Sequence, residues 1–310
     1  MDGLFVTVGE LSEYLNCRVI GDRQKKIYGI ALMNDSNEDM LTYVSKDKIG
    51  CINNIKAGVI LVKATIGLPF DRTYIVAVSE PYEILAKTIN FLISKGLYCV
   101  ENDNKPLIAE SAKISDGAVI ENGAVIGDNC FIGANTVIGQ NTVIESNVRI
   151  GSCCSIGTEN FEYCKKKQGW SKIPVVGGVH ICSNVIIGGN VVVERGTIGT
   201  TVIGANTQIE NLVQVGHECR IGENCHIVAC TALAGWCEIG SNVDIYGQCA
   251  VSNNIKIGDN AILLAKSGVD KNIKENTVVW GTPAQEYRKE MRFQAFLRRL
   301  FEKSIKKDVK

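Results

Sequence analysis

From Ile108 onward an aliphatic residue returns at every sixth position, at Ile114, Ile120, Ile126, Ile132, Ile138, Ile144, Ile150 and Ile156. The phase is lost over "GTENFEYCKKKQGWSKIPVVGG" (157–178) and returns at Ile181, Ile187 and Val193. It slips again over "ERGTIGTT" and then runs unbroken from Ile203 to Val269. Six is even, so an extended chain keeps these residues on one face, whereas a helical period near 3.6 would scatter them. The position after the aliphatic is often glycine, as at Gly127, Gly133, Gly204 and Gly222, and two further on stands Asn, as at Asn129, Asn147, Asn206 and Asn224. Both residue types tolerate left-handed backbone, so each hexad reads as a short strand plus a turn. The next slot takes small or β-branched residues (Ala124, Thr136, Val148, Val213), which would point inward beside the aliphatic. The pattern predicts a hexapeptide β-helix over 107–280.

Residues 1–100 lack the hexad. There "GELSEYLN" reads as a short helix, "AGVILVK" and "TYIVAVS" as buried strands, and "PYEILAKTINFLISK" as an amphipathic helix, together a small α/β domain. The polar "ENDNKP" (101–106) suits a linker. In 281–310, Thr282 with Gln285 three later and Pro283 between them form a helix-start signature. Phe293, Phe296, Leu297, Leu300 and Phe301 then follow as one apolar stripe. The mainly β solenoid therefore has a small domain before it and an amphipathic helix after it.

Charge is balanced at 33 basic and 33 acidic residues, so no global field draws the chain to nucleic acid or to a membrane. "MDGLFVTVGELSEYLNC" lacks the positive start and apolar core of a signal peptide, and no run is long enough to span a bilayer, so a cytoplasmic protein is expected. The thirteen cysteines include no C-x-x-C pair. Six of them (Cys130, Cys154, Cys219, Cys225, Cys237, Cys249) fall in the small inward slot, where a thiol acts as a compact apolar residue. Neither disulfides nor a metal site is expected. From Pro283 onward nine Lys or Arg face four Asp or Glu, a basic excess that is either a solvated face or a docking surface for an acidic partner.

Of three histidines, His180 and His226 directly precede repeat aliphatics and read as ordinary face residues. His217 lies in a turn, two residues after Val215, with Glu218 where Asn is usual. A turn residue projects from the solenoid, so this imidazole can reach a ligand and take a proton near neutral pH. A zinc hydro-lyase on the same repeat would need three gathered histidines, and only His217 and His226 are close in sequence. A catalytically silent scaffold stays open at this point.

Four stretches, "GWSKIP", "VVVERGTIGTTVIG", "IENLVQVGHECRIG" and "GTPAQEYRKEMR", resemble the UDP-3-O-acylglucosamine N-acyltransferases of lipid A assembly, in order and spacing across nearly the whole chain. The resemblance implies a left-handed parallel β-helix with three hexads per coil, working as a homotrimer. It implies transfer of a 3-hydroxyacyl group from acyl carrier protein to the sugar's 2-amine. His217 would be the general base and the Gly235 backbone N–H the oxyanion donor, with Glu210, Asn211 and Gln214 orienting base and sugar. No cofactor is implied beyond the phosphopantetheine of the carrier protein. Arg288, Lys289, Arg292, Arg298 and Arg299 are then candidates for carrier-protein docking. Two departures stand out. The family's second histidine is Asn254 here, which hydrogen-bonds but cannot titrate. The uracil-stacking pattern F-x-x-N-P-K-Y is "YVSKDKI", which keeps an aromatic at Tyr43 but places Lys46 and Ile49 at the Asn and second aromatic positions. Those changes leave open a different acceptor, or a coenzyme A-dependent acetyltransferase of another amino sugar.

Overall fold

The computed structural model describes residues 4–44, 46–63, 68, 72–77, 81–99, 102–166 and 169–308, apart from the side chains of 46–49, 81, 166 and 303–308. The chain forms two compact units. One comprises 1–102, 159–178 and 196–199, and the other comprises 103–158, 179–195 and 200–310. The two short pieces that join the first unit are the same two places where the hexad phase breaks.

The second unit is a parallel β-solenoid. Val119 pairs with Val137, Val125 with Val143 and Phe131 with Arg149, so each strand lies on the one three hexads later. Three sheets result, of eight, eight and ten strands. The repeat aliphatics from Ile126 to Val269 fill the interior, with Ile132, Ile150, Val215, Ile227 and Leu263 at most 1% exposed. Burying each such side chain stabilises the coil by about 1.5–3 kcal/mol. The six cysteines of the small slot are buried beside them. Burial pushes the thiols of Cys130, Cys154, Cys225 and Cys249 up, which keeps them protonated and unreactive.

Corners form where the Asn slot predicts them. Asn129, Asn147, Asn206 and Asn224 all have φ between 55° and 62°, the left-handed conformation. Glycine after the aliphatic has a different cause. A Cβ on Gly204 would lie 2.5 Å from the Gly222 carbonyl carbon, so coils stack there backbone on backbone.

In the first unit, helix α1 (Val8–Leu15) begins with a capping box in which Thr7 Oγ1 accepts from the Glu10 N–H while the Glu10 carboxylate accepts from the Thr7 N–H. It shares a core with helix α2 (Pro81–Ser94) through Leu11, Leu15, Ile84, Ile89 and Leu92. Beside them runs a five-stranded sheet in the order Arg18–Ile20, Thr73–Val76, Val59–Val62, Met40–Val44, Gly29–Ile30. The first out-of-phase segment contributes an antiparallel hairpin, Tyr163–Lys166 with Gly169–Lys172, followed by Ile173 and Val176 in the same core.

The last helix starts later than its sequence signature predicts. Gln285–Glu286 stays extended and pairs antiparallel with Val279 and Trp280, so helix α3 spans Tyr287–Asp308. The Thr282 hydroxyl donates to the Lys266 carbonyl instead of capping, and Glu286 takes the capping place, its carboxylate accepting from the Arg288 and Lys289 N–H groups. Pairing with the solenoid edge outweighs the local helix preference there. No helix among the described residues is long and apolar enough to cross a membrane.

Candidate active site

The strand Gln214–Val215 delivers the chain into a corner that carries His217 and Glu218. Glu218 occupies the left-handed position with φ 53°, and its side chain is buried. Its Oε2 lies 2.5 Å from His217 Nδ1, so the carboxylate accepts from Nδ1–H and leaves Nε2 facing Gly235 of the next coil. The imidazole keeps 15% exposure, enough for a ligand to reach one edge.

One coil further on, Gly235 sits directly against that ring. A Cβ there would come within 2.5 Å of Nε2, so only glycine lets the imidazole lie over the backbone. The Gly235 N–H makes no hydrogen bond among the described residues, whereas the corresponding turn N–H groups of Gly189 and Ala229 are taken by Asn211 and Glu210. An uncommitted N–H beside an imidazole could receive a developing oxyanion.

Two residues that the sequence reading missed complete the site. The Glu194 carboxylate accepts from the His217 backbone N–H at 3.2 Å and from Gln214 Nε2 at 3.1 Å, clamping the turn from the preceding coil. Burial raises its pKa, and the nearby His217 and the bond from its N–H only partly oppose that. Trp236, in the left-handed slot with φ 65°, meets the imidazole edge-on at 6.2 Å between ring centroids.

Gln214 thus joins His217 through Glu194. Glu210 and Asn211 fall at the preceding corner instead, where they bond backbone N–H groups of the adjacent coils. Asn254 shares the His217 corner, one coil beyond Trp236, and its N–H donates to the Gly235 carbonyl at 3.0 Å. Its side chain is exposed. Tyr43 packs half-buried against the core of the first unit, while the side chains of Lys46 and Ile49 lie outside the described residues. Arg288, Lys289, Arg292, Arg298 and Arg299 are all exposed on α3. The apolar stripe of Phe293, Phe296, Leu297, Leu300 and Phe301 is exposed as well.

The three histidines do not gather. His180 pairs with Glu145 and His226 lies 4.0 Å from Asp244, each on a different sheet from the strand that leads to His217.

A parallel solenoid of hexads is the architecture of hexapeptide-repeat proteins, and the bacterial transferase hexapeptide (six repeats) pattern matches residues 105–140 and 200–235. A UDP-3-O-acylglucosamine N-acyltransferase from Herminiimonas arsenicoxydans is 33% identical over 259 residues, 74% of each chain. Another of that name, from Pseudomonas fluorescens, is 34% identical over 255 residues, 74% of this chain and 72% of the relative. The chain belongs to the UDP-3-O-acylglucosamine N-acyltransferase family. A third relative of that name, from Dechloromonas aromatica, is 42% identical over 80 residues, and this match spans only 23% of its length. Among solved structures, the UDP-N-acetylglucosamine acyltransferase of Francisella novicida matches with TM-score 0.50 at 30% identity, covering 59% of this chain and 68% of that one.

Proposed function

We propose that the chain transfers a 3-hydroxyacyl group from acyl carrier protein to the 2-amine of UDP-3-O-acylglucosamine, acting as a homotrimer. The observation that carries this reading is the Glu218–His217 pair lying over Gly235. His217 Nε2 takes a proton from the amine as its nitrogen attacks the thioester carbonyl. The Gly235 N–H then holds the oxyanion. Collapse forms the amide and expels the pantetheine sulfur, which takes the proton back from His217. Glu218 stabilises the imidazolium between those steps and Glu194 holds the turn in place, so transfer is direct and forms no acyl-enzyme. Tyr43 and Lys46 belong to nucleotide recognition. The exposed basic residues of α3 offer an acidic carrier protein a steering surface.

The test is a transfer assay with UDP-3-O-acylglucosamine as acceptor and either 3-hydroxyacyl carrier protein or acetyl-CoA as donor. Turnover with the carrier protein alone supports the reading, and turnover with acetyl-CoA alone rejects it. Charge reversal at Arg292, Arg298 and Arg299 is expected to raise KM for the carrier protein about tenfold while leaving kcat nearly unchanged.

A further inference from the structure

In the column that follows Ile126 on successive coils, the residue after the aliphatic is Gly127, Glu145, Cys182, Gly204, Gly222, Gly240 and Gly258. Close stacking demands glycine: a Cβ on Gly204 or Gly222 would lie 2.5 or 2.6 Å from the next carbonyl carbon. Between Gly127 and Gly258 the run is broken at Glu145 and Cys182, on adjacent coils, and both carry metal-binding side chains; Ala109 and Lys274 stand beyond its two ends. A third such side chain, His180, stands two residues before Cys182 on the face of the same sheet. One ligand atom from each of the three lies within 4.8 Å of the other two.

The carboxylate is already oriented. Glu145 Oε2 accepts from the Ser183 N–H at 2.9 Å and from the Ser183 hydroxyl at 2.7 Å. Its other oxygen, Oε1, lies 2.9 Å from His180 Nε2. Bonds of this kind behind a ligand set its geometry and basicity.

We propose that Glu145 Oε1, His180 Nε2 and Cys182 Sγ bind a zinc ion, with water as the fourth ligand. A thiolate, an imidazole and a carboxylate are the ordinary donor set of tetrahedral zinc, at about 2.0–2.3 Å from the metal. Donors at those distances stand roughly 3.3–3.8 Å apart. The Oε1–Nε2 pair, now at 2.9 Å, has to open by a few tenths of an ångström, while the widest spacing, within 4.8 Å, has to contract by about an ångström. The Cys182 thiol proton passes to solvent, and His180 carries its remaining proton on Nδ1.

The location gives the ion a purpose. Elsewhere in the solenoid, residues bonded between adjacent coils are typically eighteen apart, as in the bond from Asn206 to Asn224, but Glu145 and His180 are thirty-five apart. Between these two coils the chain leaves the repeat for residues 159–178. Zinc would fasten the two coils where the connection is longest.

The test is equilibrium dialysis of the full chain against zinc, together with absorption spectra of the cobalt-loaded protein. Wild type is expected to take up one equivalent per chain and to show a thiolate-to-cobalt charge-transfer band. Cys182→Ser should abolish the band, and Cys182→Ser and His180→Ala should each weaken zinc binding at least tenfold. Cys230→Ser, at an exposed cysteine on another corner, should change neither. Circular dichroism checks that each variant is folded, and Glu145→Gln supplies the same readout if either fails to fold. Absence of stoichiometric uptake by wild type, or a thiolate band that survives Cys182→Ser, would overturn the assignment.

Discussion

At the corner that follows Val125–Ile126 and the strands stacked on it, the left-handed position is Asn at 129, 147, 184, 206, 224, 242, 260 and 276, with φ between 55° and 62°. The Asn side chains bond along the stack, Asn184 to Asn206 at 3.1 Å and Asn206 to Asn224 at 3.2 Å. At the corner that follows Gln214–Val215, Glu218, Trp236 and Asn254 take the same position with φ of 53°, 65° and 64°. The backbone is the same, but Glu218 and Trp236 stand where the first corner has Asn. Left-handed geometry costs an ordinary L-residue about 1–2 kcal/mol, and Asn escapes much of that. Glu218 and Trp236 therefore stand at the second corner against local preference, where one grips the imidazole and the other abuts it.

Breaking the Asn rule does not by itself mark a site. A third corner holds Cys153, Leu212, Cys230, Gln248 and Lys266 in left-handed geometry. Nothing in the structure explains Leu212 there. What sets the His217 corner apart is convergence: an imidazole, two carboxylates and an uncommitted N–H meet there from three successive coils.

The largest expected effect is that of His217→Ala, which should lower turnover about 10²- to 10⁴-fold while circular dichroism stays that of the wild type. Normal turnover in that folded variant would remove the histidine from the chemistry. Gly235→Ala comes next, at about 10²- to 10³-fold, because the added methyl must displace the imidazole. Stopped-flow acyl-transfer assays can rank the two. Glu218→Asn sharpens the contrast between the corners most directly. It should raise the melting temperature, by relieving about 1 kcal/mol of backbone cost, and slow transfer about 10- to 10²-fold. A variant both slower and less stable would show that the Glu218–His217 bond outweighs the strain.

Asn224→Ala, at the regular corner, should cost about 1 kcal/mol in denaturant unfolding and leave the rate alone. The smallest effect concerns Glu194. Burial lifts its folded-state pKa above the ordinary value of 4.5. Its contribution to stability is therefore fully present below the unfolded value and is lost as pH rises through the folded one. Glu194→Gln, which does not titrate, should gain in melting temperature relative to wild type as pH goes from about 4 to 8. A gap that shrinks over that range would mean the bonds from His217 and Gln214 dominate over burial.

Much of the site could be read from the chain, because the solenoid converts sequence distance into position. His217 and Gly235 are three hexads apart and meet one coil apart. Glu194 escaped that rule. It precedes His217 by twenty-three residues, across the slip at 196–199, and that separation is not a whole count of hexads. Trp236 could have been found, since it is a large aromatic in an Asn slot one coil beyond Glu218. The helix start was misplaced because a local capping signature says nothing of a strand partner supplied by the solenoid. The apolar stripe runs along α3 as its period implies, but periodicity records an apolar face without recording what covers it.

The reversal of Gln285–Glu286 against Val278–Trp280 has a consequence for solubility. A parallel solenoid ends in open strand edges, which are templates for another chain. Here the last strand of one sheet is paired by an antiparallel segment that leads straight into a helix, and that strand cannot be extended by a second solenoid stacking end to end. Part of the terminal coil is thus closed to fibril growth by its own chain, before any partner is present.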